Sequence, residues 1–397
     1  MVPGSISSSR IREEARRLGF FKTGITSARL LPEPERFEKW LREGMYGEMR
    51  YLERQLPKRM DPRLVLAGAR SMVVLAMNYH TGQELTNQPL KGKISRYAWG
   101  DDYHILIKNR LEQLLDFIKK QEPSAQGLFY ADTGPLMEKI WGAETILGWM
   151  GKHTNLITRE CGSWFFIGII LLNIDLEFDA PEKDYCGNCS RCIQACPTGA
   201  IVAPHVLDAR LCISYLTIEL RGPIPQRLRP LMGNRIYGCD DCQEVCPWNR
   251  FAVKTAEGAF SPRVENLMPD LLSLVRMTPG EFKRRFENSP ILRATRDGFI
   301  RNVVVALGNS GKSETIPALK NALQDSSPVV RNHARWAIEQ ITNYELKKSW
   351  LAFNSSFVIR NYFIAAWMNG FQSVPTFQFL CLRRNISKFD SGRSISF

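Results

Sequence analysis

Short apolar runs and one longer helical pattern alternate through the first 180 residues. Residues 71–77 and 164–174 are almost entirely apolar, which is typical of buried strands. Strands that alternate with helices are typical of an α/β domain, which we predict for residues 1–180. The helical pattern lies between the two runs, over residues 103–120, and its apolar positions are Ile105, Leu106, Leu111, Leu114, Leu115 and Ile118.

The chain is helical from about residue 256 onward. Residues 300–309 have the pattern of a helix that ends at a glycine, and two further helices begin near Ile316 and Asp325. These helices predict a HEAT-like repeat over residues 256–345. One such unit cannot bury its own apolar face, so we expect it to dock on the segment before it. Residues 346–397 form an aromatic tail without a predicted fold.

Residues 181–255 separate these two regions and contain eight of the ten cysteines, all between Cys186 and Cys246. The segment is rich in proline and glycine and poor in apolar residues, so we expect a bound metal to organise it. The chain as a whole is therefore predicted to be α+β. It would consist of an N-terminal α/β domain, a ferredoxin-like two-cluster module and the C-terminal helical repeat.

Charge and targeting signals indicate the compartment of the protein and the class of its partner. The formal net charge is +13, which suits a polyanionic partner such as a nucleic acid. The start of the chain lacks the apolar core of an export signal, and the apolar run 164–174 is too short to cross a bilayer. We therefore expect a cytoplasmic protein without a membrane partner. In that reducing compartment, clustered cysteines bind metal more often than they form disulfides.

The cysteines form two motifs. The first begins at Cys186 and follows C-x₂-C-x₂-C-x₃-C-P, and the second begins at Cys239 and follows C-x₂-C-x₃-C-P, with Cys212 between them. Paired cysteines also bind zinc, so two zinc ions are an alternative. The spacing followed by proline is typical of iron–sulfur proteins and favours two 4Fe-4S clusters.

In two-cluster ferredoxins, the last cysteine of each motif binds the other cluster. The expected ligands of the first cluster are Cys186, Cys189, Cys192 and Cys246. Those of the second cluster are Cys196, Cys212, Cys239 and Cys242. Cys161 and Cys381 remain, and we expect both to be buried free thiols. Two clusters in series indicate that a further redox centre uses the electrons.

Several motifs in and before the cysteine segment resemble those of one enzyme family. In the cysteine segment they are residues 213–219 and 238–249, and upstream they are residues 61–63, 94–97, 130–135 and 147–155. Together they resemble the epoxyqueuosine reductase family over about residues 10–345.

The resemblance implies an oxidoreductase that depends on cobalamin and on two 4Fe-4S clusters. Such an enzyme reduces epoxyqueuosine to queuosine at the wobble position of tRNA, the last step of queuosine biosynthesis. The clusters would reduce cob(II)alamin to cob(I)alamin, the nucleophile that acts on the epoxide. The implied partners are the anticodon stem-loop of a tRNA that carries epoxyqueuosine and an external electron donor. We expect the protein to be a monomer.

The resemblance also implies site residues. Asp132 matches the proton donor of the family. A carboxylic acid donates a proton near pH 7 only when its pKa is raised, so we expect Asp132 to be desolvated at the end of a strand. An aspartate in such a position is otherwise commonly a turn residue. The implied cobalamin has no histidine below cobalt and lies between the N-terminal domain and the clusters, with Ser95, Tyr97, Asp132, Asn155 and Ser214 as candidate contacts.

Basic residues of the C-terminal half are candidates for contacts with tRNA phosphates. They are Arg227, Arg229, Lys283, Arg284, Arg285, Arg301, Lys320, Arg331 and Arg335.

Three other functions are compatible with parts of the sequence. A reductive dehalogenase combines cobalamin with two clusters, although such enzymes are typically exported. A non-catalytic electron carrier would explain the cysteines but not Asp132. An RNA-binding module with structural clusters would explain the charge, and it predicts that cobalamin is irrelevant to function.

Overall fold

The computed structural model describes residues 6–84 and 88–347, so Cys381 and most of the predicted tail lie outside the described residues. The helices are α1 (Ser8–Arg17), α2 (Pro34–Arg42), α3 (Tyr51–Arg54), α4 (Leu56–Met60), α5 (Tyr103–Gln121), α6 (Glu138–Ala143), α7 (Arg191–Ala195), α8 (Ile213–Ile218), α9 (Asp241–Glu244), α10 (Leu271–Leu274), α11 (Pro279–Arg285), α12 (Thr295–Asn309) and α13 (Ile316–Ala322). A last helix begins at residue 328.

The main sheet has four strands, β1 (Lys22–Ser27), β2 (Ser71–Asn78), β3 (Gly127–Tyr130) and β4 (Phe165–Leu172), in the order β1-β2-β4-β3. Shorter strands pair elsewhere: Lys93–Ile94 with Arg235–Tyr237, Trp149–Met150 with Leu156–Ile157, and Ile201–Ala203 with Val206–Leu207. Within the described residues, no helix is long and apolar enough to cross a membrane.

The predicted strands and the long helix are confirmed, but the α/β description of residues 1–180 is wrong. All three pairings of the main sheet are antiparallel, whereas α/β domains contain mostly parallel strands. The cause is the connection between β1 and β2. The Ala28 amide donates a hydrogen bond to the Arg70 carbonyl (2.8 Å), so the connecting helices return the chain to the end of the sheet that it left.

Alternating side chains of the central strands serve two different cores. On one face, Val73, Leu75 and Ile170 pack with residues of α1 and α5 such as Ile11 and Leu111. On the other face, the alternate residues of the same strands pack against α2 and α6: Met72, Val74, Ile169 and Leu171 contact Phe37, Leu41 and Trp141. Burial on both faces explains why β2 and β4 are almost continuously apolar.

A third core joins the cysteine segment to the C-terminal helices. It contains buried residues from 94–99, 209–237 and 271–341, among them Leu216, Ile236 and Val304. The expected docking of the helices on the cysteine segment is therefore confirmed. The expectation that this segment lacks an apolar core is wrong for residues 209–237, because their partners lie in distant parts of the chain.

The three predicted C-terminal helices are present, but α12 begins five residues earlier than predicted and the last helix begins three residues later. Helix α12 ends at Asn309, and the glycine with a left-handed backbone beyond it is Gly311 (φ 63°). Gly308 lies inside the helix, where an added Cβ would come 2.8 Å from the Cβ of Ala337, so glycine permits close packing of the last helix. Residues up to Ile341 form one compact unit, and a second begins at Thr342. The domain boundaries at residues 180, 255 and 345 and the HEAT-like repeat stay predictions.

Two arginines that were candidates for phosphate contacts are buried instead. Arg301 is 0% exposed, and its guanidinium donates to the carbonyls of Leu216, Leu220 and Gly222 (2.6–2.8 Å). Arg229 is 3% exposed and donates to the Ile224 carbonyl (2.8 Å). The open carbonyls at the end of α8 attract these donors, which sequence alone does not show. The phosphate-contact prediction is therefore wrong for both residues.

We predict that Arg301→Met destabilises the protein by about 3 kcal/mol or more, because three carbonyls lose their donor inside the protein. Chemical unfolding at neutral pH measures the change. Lys320→Met is the matched control, since Lys320 is exposed, and we expect it to shift stability by less than about 0.5 kcal/mol. Equal stability of the two variants would contradict the structural role of Arg301.

Candidate functional site

The eight clustered cysteines sit on short turns and helices that bring two distant stretches of chain together. Cys192 lies in α7, Cys242 lies in α9, and Cys212 immediately precedes α8. All nine cysteines in the described part of the chain are free thiols. One of them, Cys161, lies apart from the cluster motifs and is buried, as predicted, and burial raises its pKa to about 12.

The first group of cysteines surrounds a cavity. Cys186, Cys189, Cys192 and Cys246 line a cavity of about 200 Å³. Burial raises the pKa of Cys246, and the neighbouring thiols of Cys186 and Cys192 raise it further. Cys246 of the second motif therefore lies with the first three cysteines of the first motif. This grouping is the one that crossed ligation requires.

The second group consists of the expected ligands of the second cluster, Cys196, Cys212, Cys239 and Cys242. It lies next to the first group. Burial raises the pKa of Cys242, and the nearby thiols of Cys212, Cys196 and Cys192 add to the effect. The charged neighbours of Cys239 are Asp241, Asp240 and Arg235. In the residues that the structure describes, no three His, Cys, Asp or Glu side chains converge closely enough to hold a single metal ion. The assignment of individual ligands stays a prediction.

Polar contacts fix the backbone around both groups. The Lys152 ammonium donates to the carbonyls of Gly187 (2.5 Å) and Cys189 (2.9 Å), which shapes the loop of the first group. Beside the second group, the Asp240 carboxylate accepts hydrogen bonds from the Ser95 hydroxyl and from the Arg96 amide (2.8 Å). Burial raises the pKa of Asp240 to about 6. Ser95 is thus anchored to the second motif.

Asp132 lies in a tight loop after strand β3. Its backbone is left-handed (φ 58°), a conformation that costs energy for a residue other than glycine. The loop is held by close packing, since a Cβ on Gly134 would lie 2.3 Å from the ring of Tyr130. The Tyr103 hydroxyl donates to Asp132 Oδ2 (2.6 Å). This hydrogen bond links the loop to the start of α5.

The side chain of Asp132 is 68% exposed in this structure, so the expected desolvation is wrong here. The Nε2 atom of His104 lies 3.8 Å from Asp132 Oδ2. His104 is itself held by Asp102, whose carboxylate caps α5 and lies 2.6 Å from Nδ1. The carboxyl of Asp132 is therefore positioned by α5 and remains open to a reactant.

Two residues that follow the Asp132 loop carry unusual electrostatics. Burial raises the pKa of Glu138 to about 8, and the Asp132 charge adds to the effect. Its Oε1 atom is buried without a hydrogen-bond partner among the described residues. Desolvation also lowers the pKa of Lys139, although this side chain is solvent-accessible, and the negative groups of Asp132, Cys242 and Cys212 oppose that shift.

Lys139 connects Asp132 with the second cysteine group. Asp132 on one side and Cys212 and Cys242 on the other all raise the pKa of Lys139. The Lys139 ammonium donates a hydrogen bond to Asn155 Oδ1 (2.7 Å). The ring of Tyr97 packs edge-on against Tyr103, the hydrogen-bond donor to Asp132, with the two ring centroids 6.2 Å apart. The structure therefore brings Tyr97, Asp132 and Asn155 to one region beside the second group.

Ser214 is half-buried and lies two positions after Cys212 in α8, and Ser95 is buried. The roles of all these residues as cobalamin contacts stay predictions. Tyr103, Glu138 and Lys139 were not predicted as site residues. A signal was available for the last two, which follow the matched motif 130–135 directly at the start of α6. Tyr103 had no such signal, because only the fold brings α5 to this loop.

We predict that Glu138→Gln stabilises the protein increasingly as the pH rises from about 5 to 8. The unfolded glutamic acid ionises above pH 4.5, whereas the folded one holds its proton until about pH 8. This burial therefore costs stability that grows by at most about 1.4 kcal/mol per pH unit, and glutamine removes the cost. Unfolding midpoints at pH 5 and pH 8 measure the effect. Glu112→Gln, on the exposed side of α5, is the control, and a pH-independent difference for Glu138→Gln would contradict the prediction.

Two family models match the chain. Residues 185–249 match the 4Fe-4S double cluster binding domain, and residues 59–133 match Epoxyqueuosine reductase QueG, DUF1730. The first match covers all eight clustered cysteines. The second ends just after Asp132.

Curated relatives cover most of the chain. The epoxyqueuosine reductase of Escherichia coli (strain K12) is 41% identical over 337 residues, which are 84% of this chain and 89% of that protein. The enzyme of Xanthomonas campestris is 41% identical over 340 residues, 84% of this chain and 96% of the relative. The enzyme of Cellulophaga algicola is 43% identical over 302 residues, which are 75% of this chain and 96% of that protein.

Solved structures give the same result. A crystal structure of epoxyqueuosine reductase with an epoxyqueuosine-modified tRNA-Tyr stem loop has a TM-score of 0.78 and 31% identity, covering 84% of this chain and 89% of that one. A structure of the enzyme from Bacillus subtilis, with its catalytic aspartate loop swung out of the active site, also has a TM-score of 0.78 at 31% identity. The match covers 84% of this chain and 90% of that one. These comparisons confirm the mixed helix and strand fold and the reductase hypothesis. They contradict the two non-catalytic hypotheses, an electron carrier and an RNA-binding module. The chain belongs to the epoxyqueuosine reductase family and is a reductase.

Proposed function

We propose that this reductase converts epoxyqueuosine to queuosine at the wobble position of tRNA, with cobalamin and two 4Fe-4S clusters. The observation that carries the proposal is the position of Asp132, an accessible carboxyl that Lys139 links electrostatically to the second cysteine group. A proton source and an electron source thus lie next to each other. The related enzymes named above support this substrate, and one of them was crystallised with a modified stem loop.

The reaction needs both sources. Removal of the epoxide oxygen breaks two carbon–oxygen bonds and forms one carbon–carbon double bond. It consumes two electrons and two protons and releases one water. The protein must therefore hold protons beside the substrate and admit electrons from outside.

The cysteines fit two iron–sulfur clusters. Thiolates are the preferred ligands of such clusters, and four of them surround one cavity of about 200 Å³. Burial and mutual repulsion raise the pKa values of Cys242 and Cys246, so bound metal has to hold these sulfurs as thiolates. The second group is the one nearer to Asp132, because Cys212 and Cys242 act on Lys139.

The region between Asp132 and the second group has a polar lining, and this lining suits cobalamin. A corrin carries amides at its edge, and Glu138 Oε1 is a buried oxygen without a partner among the described residues. Asn155 and Ser214 are half-buried polar residues, and Tyr97 packs against Tyr103, which donates to Asp132. Bound cobalamin would supply a strongly reducing cobalt centre for the opening of the epoxide.

In this proposal the bound substrate and cofactor cover the exposed carboxyl of Asp132, and the acid, desolvated in that complex, delivers a proton to the epoxide oxygen. The Tyr103 hydroxyl holds its Oδ2 atom at 2.6 Å and fixes the direction of the carboxyl. Glu138 holds a second proton at neutral pH, since its pKa is raised to about 8. Two acids on one short segment match the demand for two protons.

Exposed basic residues of the C-terminal half supply the tRNA contacts in this proposal. Of the original candidates, the exposed ones are Arg227, Lys283, Arg284, Lys320 and Arg335. We further propose that the protein acts as a cytoplasmic monomer and takes electrons from an external donor.

We predict that Asp132→Asn lowers turnover of an epoxyqueuosine-containing stem loop by about 100-fold or more, because the amide has no acidic proton. Iron, sulfide and cobalt contents should equal those of the wild type, which separates loss of the proton from loss of cofactors. Asp116→Asn, an exposed change on α5, is the control and should keep full turnover. Full activity of Asp132→Asn would remove this residue from the mechanism.

A further inference from the structure

A groove of about 990 Å³ opens on the surface beside the first cysteine group. We call it the Cys246 groove. Its walls come from the chain after β2, from α7 and from the segment that follows the second motif. The lining residues that matter here are Lys93, Arg96, Arg191, Cys246, Pro247 and Arg250.

The groove and the cavity of the first cysteine group share a wall. Cys246, Pro247 and Arg250 line both of them. An object seated in the groove is therefore separated from the first group by little more than the chain at Cys246 and Pro247. Electron transfer weakens steeply with distance, so this thin wall favours electron entry at the first group.

The position of the groove also suits the direction of electron flow. The Asp132 region lies beside the second group, as the interaction of Lys139 with Cys212 and Cys242 indicates. The groove lies beside the first group. Electrons that enter at the groove would pass through both groups before they reach the reacting nucleoside.

The charge of the groove favours an acidic partner. Four cationic residues line it, against the two acidic residues Glu84 and Glu244. Arg96 is 3.3 Å from Glu244, so that pair is neutralised. Arg191 and Arg250 are exposed, and neither forms a salt bridge with another residue in the described ranges. Arg250 stacks over the ring of Phe251 (4.5 Å to its centroid), which leaves its charge unneutralised, so both arginines can bind carboxylates on another protein.

We propose that the Cys246 groove is the docking surface for a small acidic protein that carries single electrons. This inference rests on the proposed function, which requires an external donor. In each encounter the reduced carrier loses one electron and the first cluster gains it, so two encounters supply the two electrons of one turnover. Small, transient contacts are typical of electron-transfer partners. A tRNA would also be attracted by arginines, but its modified nucleoside has to reach Asp132 rather than the first group.

The test compares two reductants on the holoprotein without tRNA. Stopped-flow absorbance follows cluster reduction by a purified, prereduced acidic flavodoxin and, separately, by dithionite. For Arg191→Glu/Arg250→Glu, we expect the second-order rate with flavodoxin to fall by about tenfold or more and to lose its salt dependence. The rate with dithionite should fall by less than about threefold, because its reducing species is a small radical anion with a single charge, and the affinity for the stem loop should stay at the wild-type value. Arg276→Glu/Lys312→Glu, an exposed pair outside the groove, should match the wild type in every assay.

An unchanged flavodoxin rate overturns the proposal. So does a loss of stem-loop affinity with a normal flavodoxin rate, since the groove would then bind nucleic acid. If the double variant loses iron, Arg191→Gln/Arg250→Gln replaces it, with the same expected direction. Because no epoxyqueuosine is present, a failure here leaves the proposed reaction standing, and a failure of the reaction leaves this rate measurement valid.

Discussion

The arrangement of the candidate site depends on one packing constraint, the burial of residues 209–237 against the C-terminal helices. This core holds Cys212 at the start of α8 and places the second cysteine motif after a short strand in the same core. Arg301 and Asn302 of α12 reinforce it from inside. Asn302 donates to the carbonyls of Thr217 and Ile236, both at 2.9 Å. Trp248 then holds Cys246 beside the first motif, because its ring packs against Trp149 and Tyr185 and its Nε1 atom donates to the Tyr185 carbonyl (3.3 Å).

The same constraint gives the site two ends with different surroundings. The first cysteine group faces the surface at the Cys246 groove, and the second group faces Lys139 and Asp132. In the proposed reaction, electrons enter at one end and are used at the other. The two acidic residues Asp132 and Glu138 lie together at the end where the oxygen would be removed. The basic residues that remain exposed lie on other elements, so tRNA and an electron carrier need not compete for one surface.

The sequence predicted those features that are local. The apolar runs of β2 and β4 and the period of α5 reflect burial of neighbouring residues, and all three elements were placed within two residues of their bounds. The cysteine spacing predicted the two motifs for the same reason. Strand direction was not predictable, because it depends on how a long connection folds back. Arg301 looked like a surface cation, since the carbonyls that bury it come from α8 and the loop after it. Tyr103 and Asp132 meet only in the folded chain.

The most direct test of the account is the crossing of the cysteine motifs. Anaerobically purified wild-type protein should contain about eight irons per chain, as two 4Fe-4S clusters require. In Cys196→Ala, the altered residue belongs to the first motif, yet the reduced protein should lose the electron paramagnetic resonance signal of the second cluster and keep that of the first. Cys186→Ala should show the reverse. If both variants lose the same signal, or if the thiols of the wild type hold zinc, the account is contradicted.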